Sequence, residues 1–189
     1  MQGILLGSGL FIIVVCLWIV SLIKKRNTGR EALSSIDAQL AKRSHLVPSI
    51  VASVEPFMAA EASFIAEIND LNTRVAGDYD DTEPGAVQAH LAASILLNEK
   101  VSQLMSEAEI HPHLRADSAM LQAMQTYHEV GVQLTAMQRY YNHSMVELNA
   151  AVAVFPGSIV AMLAGIKAMP LYETDQAIKT TVEASDYVK

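Results

Sequence analysis

The sequence predicts an all-α protein in which one N-terminal transmembrane helix precedes an antiparallel bundle of long helices. Three observations carry that prediction. The first 23 residues contain no charged side chain. Beyond them, apolar residues recur at steps of three and four, the spacing that places them on one face of a helix. No strand pattern of useful length appears, since β-branched pairs such as Val14-Val15 and Thr180-Thr181 fall outside the periodic region.

The elements follow in order. Residues 1–3 form a short end, and residues 4–23 read as the membrane span: Ile4, Leu5, Leu10, Phe11, Ile12, Ile13, Val14, Val15, Leu17, Trp18, Ile19, Val20, Leu22 and Ile23. A helix of about 20 residues crosses the ~30 Å hydrocarbon core with every backbone group satisfied internally. A cleaved signal peptide would carry its basic residues before the apolar run, whereas here they come after it. Cys16 lacks the small residues that precede a lipidated cysteine and reads as one more apolar residue. Trp18 suits the interfacial end of the span. Lys24, Lys25, Arg26 and Arg30 form a basic juxtamembrane segment over residues 24–30. With no basic residue ahead of the span, they predict that residues 24–189 lie in the cytoplasm. They also suit anionic headgroups of the lipid bilayer.

Residues 31–172 read as the helical bundle. Leu33, Ile36, Leu40, Val47, Ile50, Val51, Val54, Phe57, Phe64, Ile65, Ile68, Leu71 and Val75 form the first stripe, on a helix expected to continue the anchor after a short break near Asn27–Gly29 and to bend at Pro48 and Pro56. The run Gly77-Asp-Tyr-Asp-Asp-Thr-Glu-Pro-Gly85 is the clearest turn. A second helix is expected from about 85 to 108, with Val87, Leu91, Ile95, Val101 and Leu104 inward. Glu109 to His113 make a corner, and a third helix runs from about Ala116 to Val154 with Met120, Met124, Tyr127, Leu134, Met137, Tyr141, Met145, Leu148 and Val152 inward. Phe155, Pro156 and Gly157 end it. Amphipathic helices of this length bury their apolar faces by packing antiparallel across short corners. Ser158 to Met169 is apolar but too short to span a bilayer. It closes the bundle, or meets a neighbouring subunit or the lipid surface. Residues 173–189 form a polar tail.

Charge narrows the function. Residues 31–189 hold nine basic against twenty acidic side chains, a net charge of −11 that disfavours nucleic acid. A single cysteine gives no disulfide framework. No glutamate has a histidine three residues later, which argues against a ferritin-type di-iron site. His111 and His113 flank a corner as a structural pair or a weak metal chelate. No nucleophile elbow, zinc-protease pair or phosphate loop occurs. No catalytic, cofactor or metal residue is therefore assigned, and an enzyme is not expected. The methionine stripe reads as core or as an adaptable groove. Tyr140, Tyr141, Asn142 and Asn149 suit buried bonds that fix helix register, or a peptide-binding groove.

Three stretches resemble the LemA family of bacterial membrane-anchored helical proteins, and together they cover almost the whole chain. They are Ile36-Asp37-Ala38-Gln39-Leu40 with Lys42-Arg43 and Leu46-Val47-Pro48, leading to Val51, Phe57 and Glu61; Pro112-His113-Leu114-Arg115-Ala116 with Leu121-Gln122; and Tyr141-Asn142, Val146, Asn149, Phe155-Pro156, Ala161, Gly165 and Tyr172-Glu173. The chain departs from the family pattern at Val130-Gly131-Val132, Pro56 and Ala60. The resemblance implies a four-helix up-and-down bundle behind one inner-membrane helix, without established catalysis. It makes Asp37, Gln39, Lys42, Arg43, Pro48, Tyr141, Asn142, Asn149, Phe155 and Pro156 the candidate interaction residues. It also suggests a membrane metalloprotease as a partner, beside self-association into a homo-oligomer. The expected role is a membrane-tethered scaffold, with a protease adaptor as the alternative.

Overall fold

A computed structural model describes residues 2–58, 61–110, 112–115 and 117–172, the side chains of 2–8, 10–12, 14, 112 and 115 excepted. Six α-helices account for most of it: α1 (Gln2–Val54), α2 (Ala62–Ala76), α3 (Pro84–Ala108), α4 (Pro112–Arg115), α5 (Ser118–Ala153) and α6 (Gly157–Ala164). No strand occurs among the described residues.

The break expected near Asn27–Gly29 does not occur. α1 is one helix of 53 residues, about 80 Å long at 1.5 Å per residue. A mid-helix glycine costs roughly 1 kcal/mol against alanine, but α5 lies along this stretch and offsets that. Gly29 is buried against Met145, and Lys25 donates to Glu147 at 2.8 Å.

The single helix expected over 31–76 is instead split. Pro48 sits inside α1 without ending it. Proline has no N–H, so the carbonyl four residues earlier, that of Ser44, loses its helical partner. Asn72 of α2 donates to that carbonyl at 3.3 Å. The second proline does stop the helix: after Val54 the chain makes one 3-10 turn, Glu55–Phe57, and α2 starts afresh. We predict that Pro48→Ala raises stability by about 1–3 kcal/mol. Asn72→Ala, expected to cost about 1 kcal/mol in the parent, should cost less than half of that beside Pro48→Ala. Thermal unfolding of the four proteins in detergent checks this, and equal Asn72→Ala costs in both backgrounds would refute it.

The boundaries of α3 and α5 lie within about two residues of those expected, whereas the apolar segment expected over 158–169 is helical only to Ala164. In the 77–85 turn the Asp80 carboxylate accepts from the backbone and hydroxyl of Thr82 at 2.9 and 2.6 Å, which holds the carboxyl below its ordinary range. Asp117 caps α5 by accepting from the N–H groups of Ala119 and Met120.

Partner pairs fix the packing. α2 runs antiparallel to α1, and α3 returns along both, with Lys100 on Glu67 at 2.8 Å. α5 runs antiparallel to α1 in the most extensive pairing of the molecule. The predicted stripes meet in one core that includes Ile36, Val47, Ile50, Ile68, Val87, Val101, Leu104, Met120, Tyr141 and Leu148. This is helical-bundle packing with one opening, because α3 and α5 both lie on α1 yet touch each other little.

Packing also extends below the predicted end of the span. The backbone of residues 4–23 is helical, but the side chains of Ile4, Leu5, Leu10, Phe11, Ile12 and Val14 lie outside the described residues. Of the rest, Ile13, Leu17, Val20 and Ile23 are exposed, Val15, Trp18 and Ile19 pack partly against the core, and Leu22 is buried in it. Among residues described in full, no single helix is long and apolar enough to cross a membrane.

At the far end of α5 the chain turns through a cis Phe155–Pro156 peptide into α6, bent by 102° from α5. Gly157 begins α6 where only glycine fits: a Cβ would collide with the carbonyl oxygen of Ala151 and sit 3.3 Å from the Trp18 ring. Gly165, at φ 64°, ends it. Residues 166–172 then run back along α5 as a non-helical strap.

Candidate functional site

The strap brings the residues of the third motif together. Asn149 donates to the carbonyl of Met169 at 2.8 Å and accepts from the N–H of the same residue at 2.9 Å. One step on, Asn142 treats Tyr172 in the same way, at 3.0 and 2.7 Å. A carboxamide offers a donor and an acceptor side by side, so it pairs with the N–H and C=O of one residue as a neighbouring strand would. Tyr141, fully buried, donates its hydroxyl to the carbonyl of Pro170 at 2.8 Å. Tyr172 ends the strap wedged between α5 and α3, its hydroxyl 2.9 Å from that of Ser94. Tyr141, Asn142 and Asn149 thus bond the backbone of the chain's own strap. Tyr140 is exposed.

Above Tyr172 the gap between α3 and α5 stays open. Arg43 forms its floor, and Asn98, Ser102, His128, Thr135 and Gln138 line it. Arg43 donates to the Asn98 side chain at 2.7 Å and to the Tyr127 carbonyl at 3.3 Å, with its guanidinium 4.1 Å from the centre of the Tyr127 ring. One side chain therefore links α1, α3 and α5. Gly131 leaves room for it, since a Cβ there would lie 2.5 Å from Nη2 of Arg43. Arg43→Lys keeps the charge but not the fork. We predict a loss of about 1–3 kcal/mol on that change, measured by thermal unfolding, and a loss under ~0.5 kcal/mol would refute the linking role.

Asp37 makes the second cluster. Its carboxylate accepts from the Tyr79 hydroxyl at 2.9 Å and lies 3.2 Å from Nε2 of the buried His90. That nitrogen is near enough for an ion pair but not aligned for a hydrogen bond. The Tyr79 and His90 rings stack at 4.1 Å. Burial first, and then the Asp37 charge, push the Tyr79 phenol above its ordinary range. Burial does the same for Tyr141, Tyr127 and Tyr172. Asp37 thus links α1 to the 77–85 turn and to α3.

The remaining candidates scatter. Gln39 is buried with its Oε1 unpartnered among the described residues. Lys42 and Pro48 are exposed on α1, and Phe155 is exposed at the α5–α6 corner with Pro156 half-buried. Of the basic segment, Lys24 is exposed. Lys25 holds Glu147, whose carboxyl it lowers, and Arg30 forms a two-pronged pair with Asp81 at 2.8–3.0 Å. Met120 and Met145 are fully buried and Met124 and Met137 partly, so the methionine stripe serves as core. His111 lies outside the described residues, and His113 stacks on Phe57 at 6.5 Å.

Sequence reasoning missed Asn72, Tyr79, His90, Asn98 and Tyr172 as partners. Asn72 left a signal, as a donor one helix away from a proline that orphans a carbonyl, and Tyr172 stood in the third motif with no role assigned to it. No curated protein matches the chain in a sequence comparison. The family model for LemA matches residues 32–185, most of the chain and all three motifs, and the protein belongs to the LemA family.

Proposed function

We propose that the protein is a non-catalytic scaffold, anchored in the bacterial inner membrane by the first part of α1 and holding a four-helix bundle at the cytoplasmic face. One observation carries this reading. α1 leaves the bundle as an uncharged helix whose described exposed side chains, Ile13, Cys16, Leu17, Val20 and Ile23, are apolar, with the hydroxyl of Ser21 the one polar group among them. In water that surface would be a large unpaired patch, whereas in lipid it is the expected exterior. The cluster Lys24, Lys25, Arg26 and Arg30 supports the cytoplasmic placement of the bundle.

The open groove between α3 and α5 is the surface offered to a second copy or another membrane protein. Confinement to two dimensions raises local concentration, so weak contacts suffice for self-association. The test is extraction of the full chain with its native lipids, followed by mass measurement. A uniform homo-oligomer supports the scaffold. A monomer that co-purifies with a membrane protease would overturn it in favour of an adaptor, and full recovery in the soluble fraction would overturn the anchor.

A further inference from the structure

We propose that α6 is a second membrane element: a helix lying flat in the headgroup region of the inner leaflet, its outer apolar side chains in lipid beside the anchor. The proposal rests on the reading of α1 as a membrane span. Three independent measurements lead to it.

The first is depth. α6 begins against Trp18, and Trp18 lies five residues inside the Ile23 end of the apolar run, about 8 Å along the helix. If the bundle stopped the bilayer at α6, only residues 4–17 of the apolar run would lie beyond that level. They reach about 20 Å, well short of the ~30 Å core. For α1 to span, α6 must enter the membrane by several ångström, and interfacial helices sit about 5–10 Å deep.

Orientation is the second. α5 runs alongside α1, and α6 is turned 102° from α5. With α1 crossing the bilayer, α6 lies close to the membrane plane.

The third is chemistry. Ser158 is the only polar side chain of α6. Val160 and Ala161 face the bundle, whereas Phe155, Met162 and Leu163 are 75, 75 and 80% exposed. α6 packs on α1 beside Trp18, so these exposed apolar side chains sit at the same level of the molecule as Leu17 and Val20. Immediately after α6, Lys167 joins Arg26 and Arg30 around one small cavity, so basic groups ring the level expected for phosphates. Asp81 and Glu83 accept from Arg30 and Lys167 there, which leaves lipid contact to the apolar side chains rather than to a phosphate site.

The test uses the full chain in phospholipid nanodiscs. Trp18 is the only tryptophan, so its quenching by brominated lipid reports the anchor. With Cys16→Ser to remove the native thiol, Leu163→Cys carries an environment-sensitive fluorophore, and Ala136→Cys, on the exposed side of α5, carries it as control. Lipid-borne nitroxide should quench the label at 163 and aqueous iodide should not, with the order reversed at 136. Phe155→Cys gives a second site if the first variant misfolds. Quenching of Trp18 by lipid together with iodide quenching at 163 would overturn the proposal and leave the anchor intact. A label at 163 shielded from both quenchers would place α6 against a second copy instead. If lipid quenches neither Trp18 nor the label, the anchor falls and the proposal with it.

Discussion

Replacing Asn142 and Asn149 together by alanine is expected to lower the melting temperature by about 10 °C. Each asparagine holds both backbone polar groups of one residue in the strap. Losing both leaves four backbone groups without protein partners, each costing about 1–3 kcal/mol if it stays buried. The strap escapes part of that penalty by peeling off into water, but it then surrenders the burial of Ile166 and Tyr172, about 2 kcal/mol each. A net loss of about 3–5 kcal/mol follows, at 2–4 °C per kcal/mol for a domain of this size. Hydrogen exchange locates the damage: the amides of Met169 and Tyr172 should lose protection before those of α5. Asn142→Asp is intermediate, since a carboxylate still accepts from the Tyr172 N–H but repels its carbonyl. A double variant melting within about 2 °C of the parent, with both amides still protected, would show that the strap is held by its apolar contacts alone.

The second large effect lies in alkali. Tyr79, Tyr127, Tyr141 and Tyr172 are all held above their ordinary value of 10.0 by burial. Below pH 10 these phenols are neutral whether the chain is folded or not, so they contribute no slope. Above it the unfolded chain releases protons that the folded chain retains. The unfolded state then binds fewer protons, and stability falls as pH rises, by about 1.4 kcal/mol per pH unit for each tyrosine. Tyr79 and Tyr141, which carry the largest shifts, together give a slope of about 3 kcal/mol per pH unit, so two or three pH units remove an amount comparable with the lower part of a typical stability of 5–15 kcal/mol. Tyrosinate absorbance should therefore rise in step with the loss of helical circular dichroism, as one cooperative transition. Tyr127 stacks on Arg43, and Tyr127→Phe should make the transition shallower and move it to higher pH. Ionisation of all the tyrosines near pH 10 with the helices intact would contradict the burial seen here.

The fold was legible wherever a single helix faced a single core. The stripe from Leu33 to Val54 and the one from Met120 to Leu148 needed only spacing to be read, and the 77–85 turn announced itself by composition. Two features could not be seen from local pattern. The continuity of α1 through Asn27–Gly29 depends on α5, which lies more than a hundred residues away in sequence. The survival of helix at Pro48 depends on Asn72, a donor in another helix. The site was half legible: Tyr141, Asn142 and Asn149 stood out as polar groups on a buried face. Their partners are backbone atoms of residues 169–172, however, and backbone atoms carry no sequence signal. Lys42 matched the family motif, but its exposed side chain joins neither cluster.

The uninterrupted run of α1 has a mechanical consequence for an anchored chain. With no joint at the membrane surface, whatever angle the lipid-embedded portion adopts is imposed on everything built around its continuation. From Ile23 to Val54 that continuation is about 46 Å long, so a 10° change of tilt swings its tip sideways by about 8 Å. Transmembrane helices alter tilt when bilayer thickness changes. The distal end, around the 3-10 turn and α4, would act as a pointer that registers the thickness of the surrounding lipid.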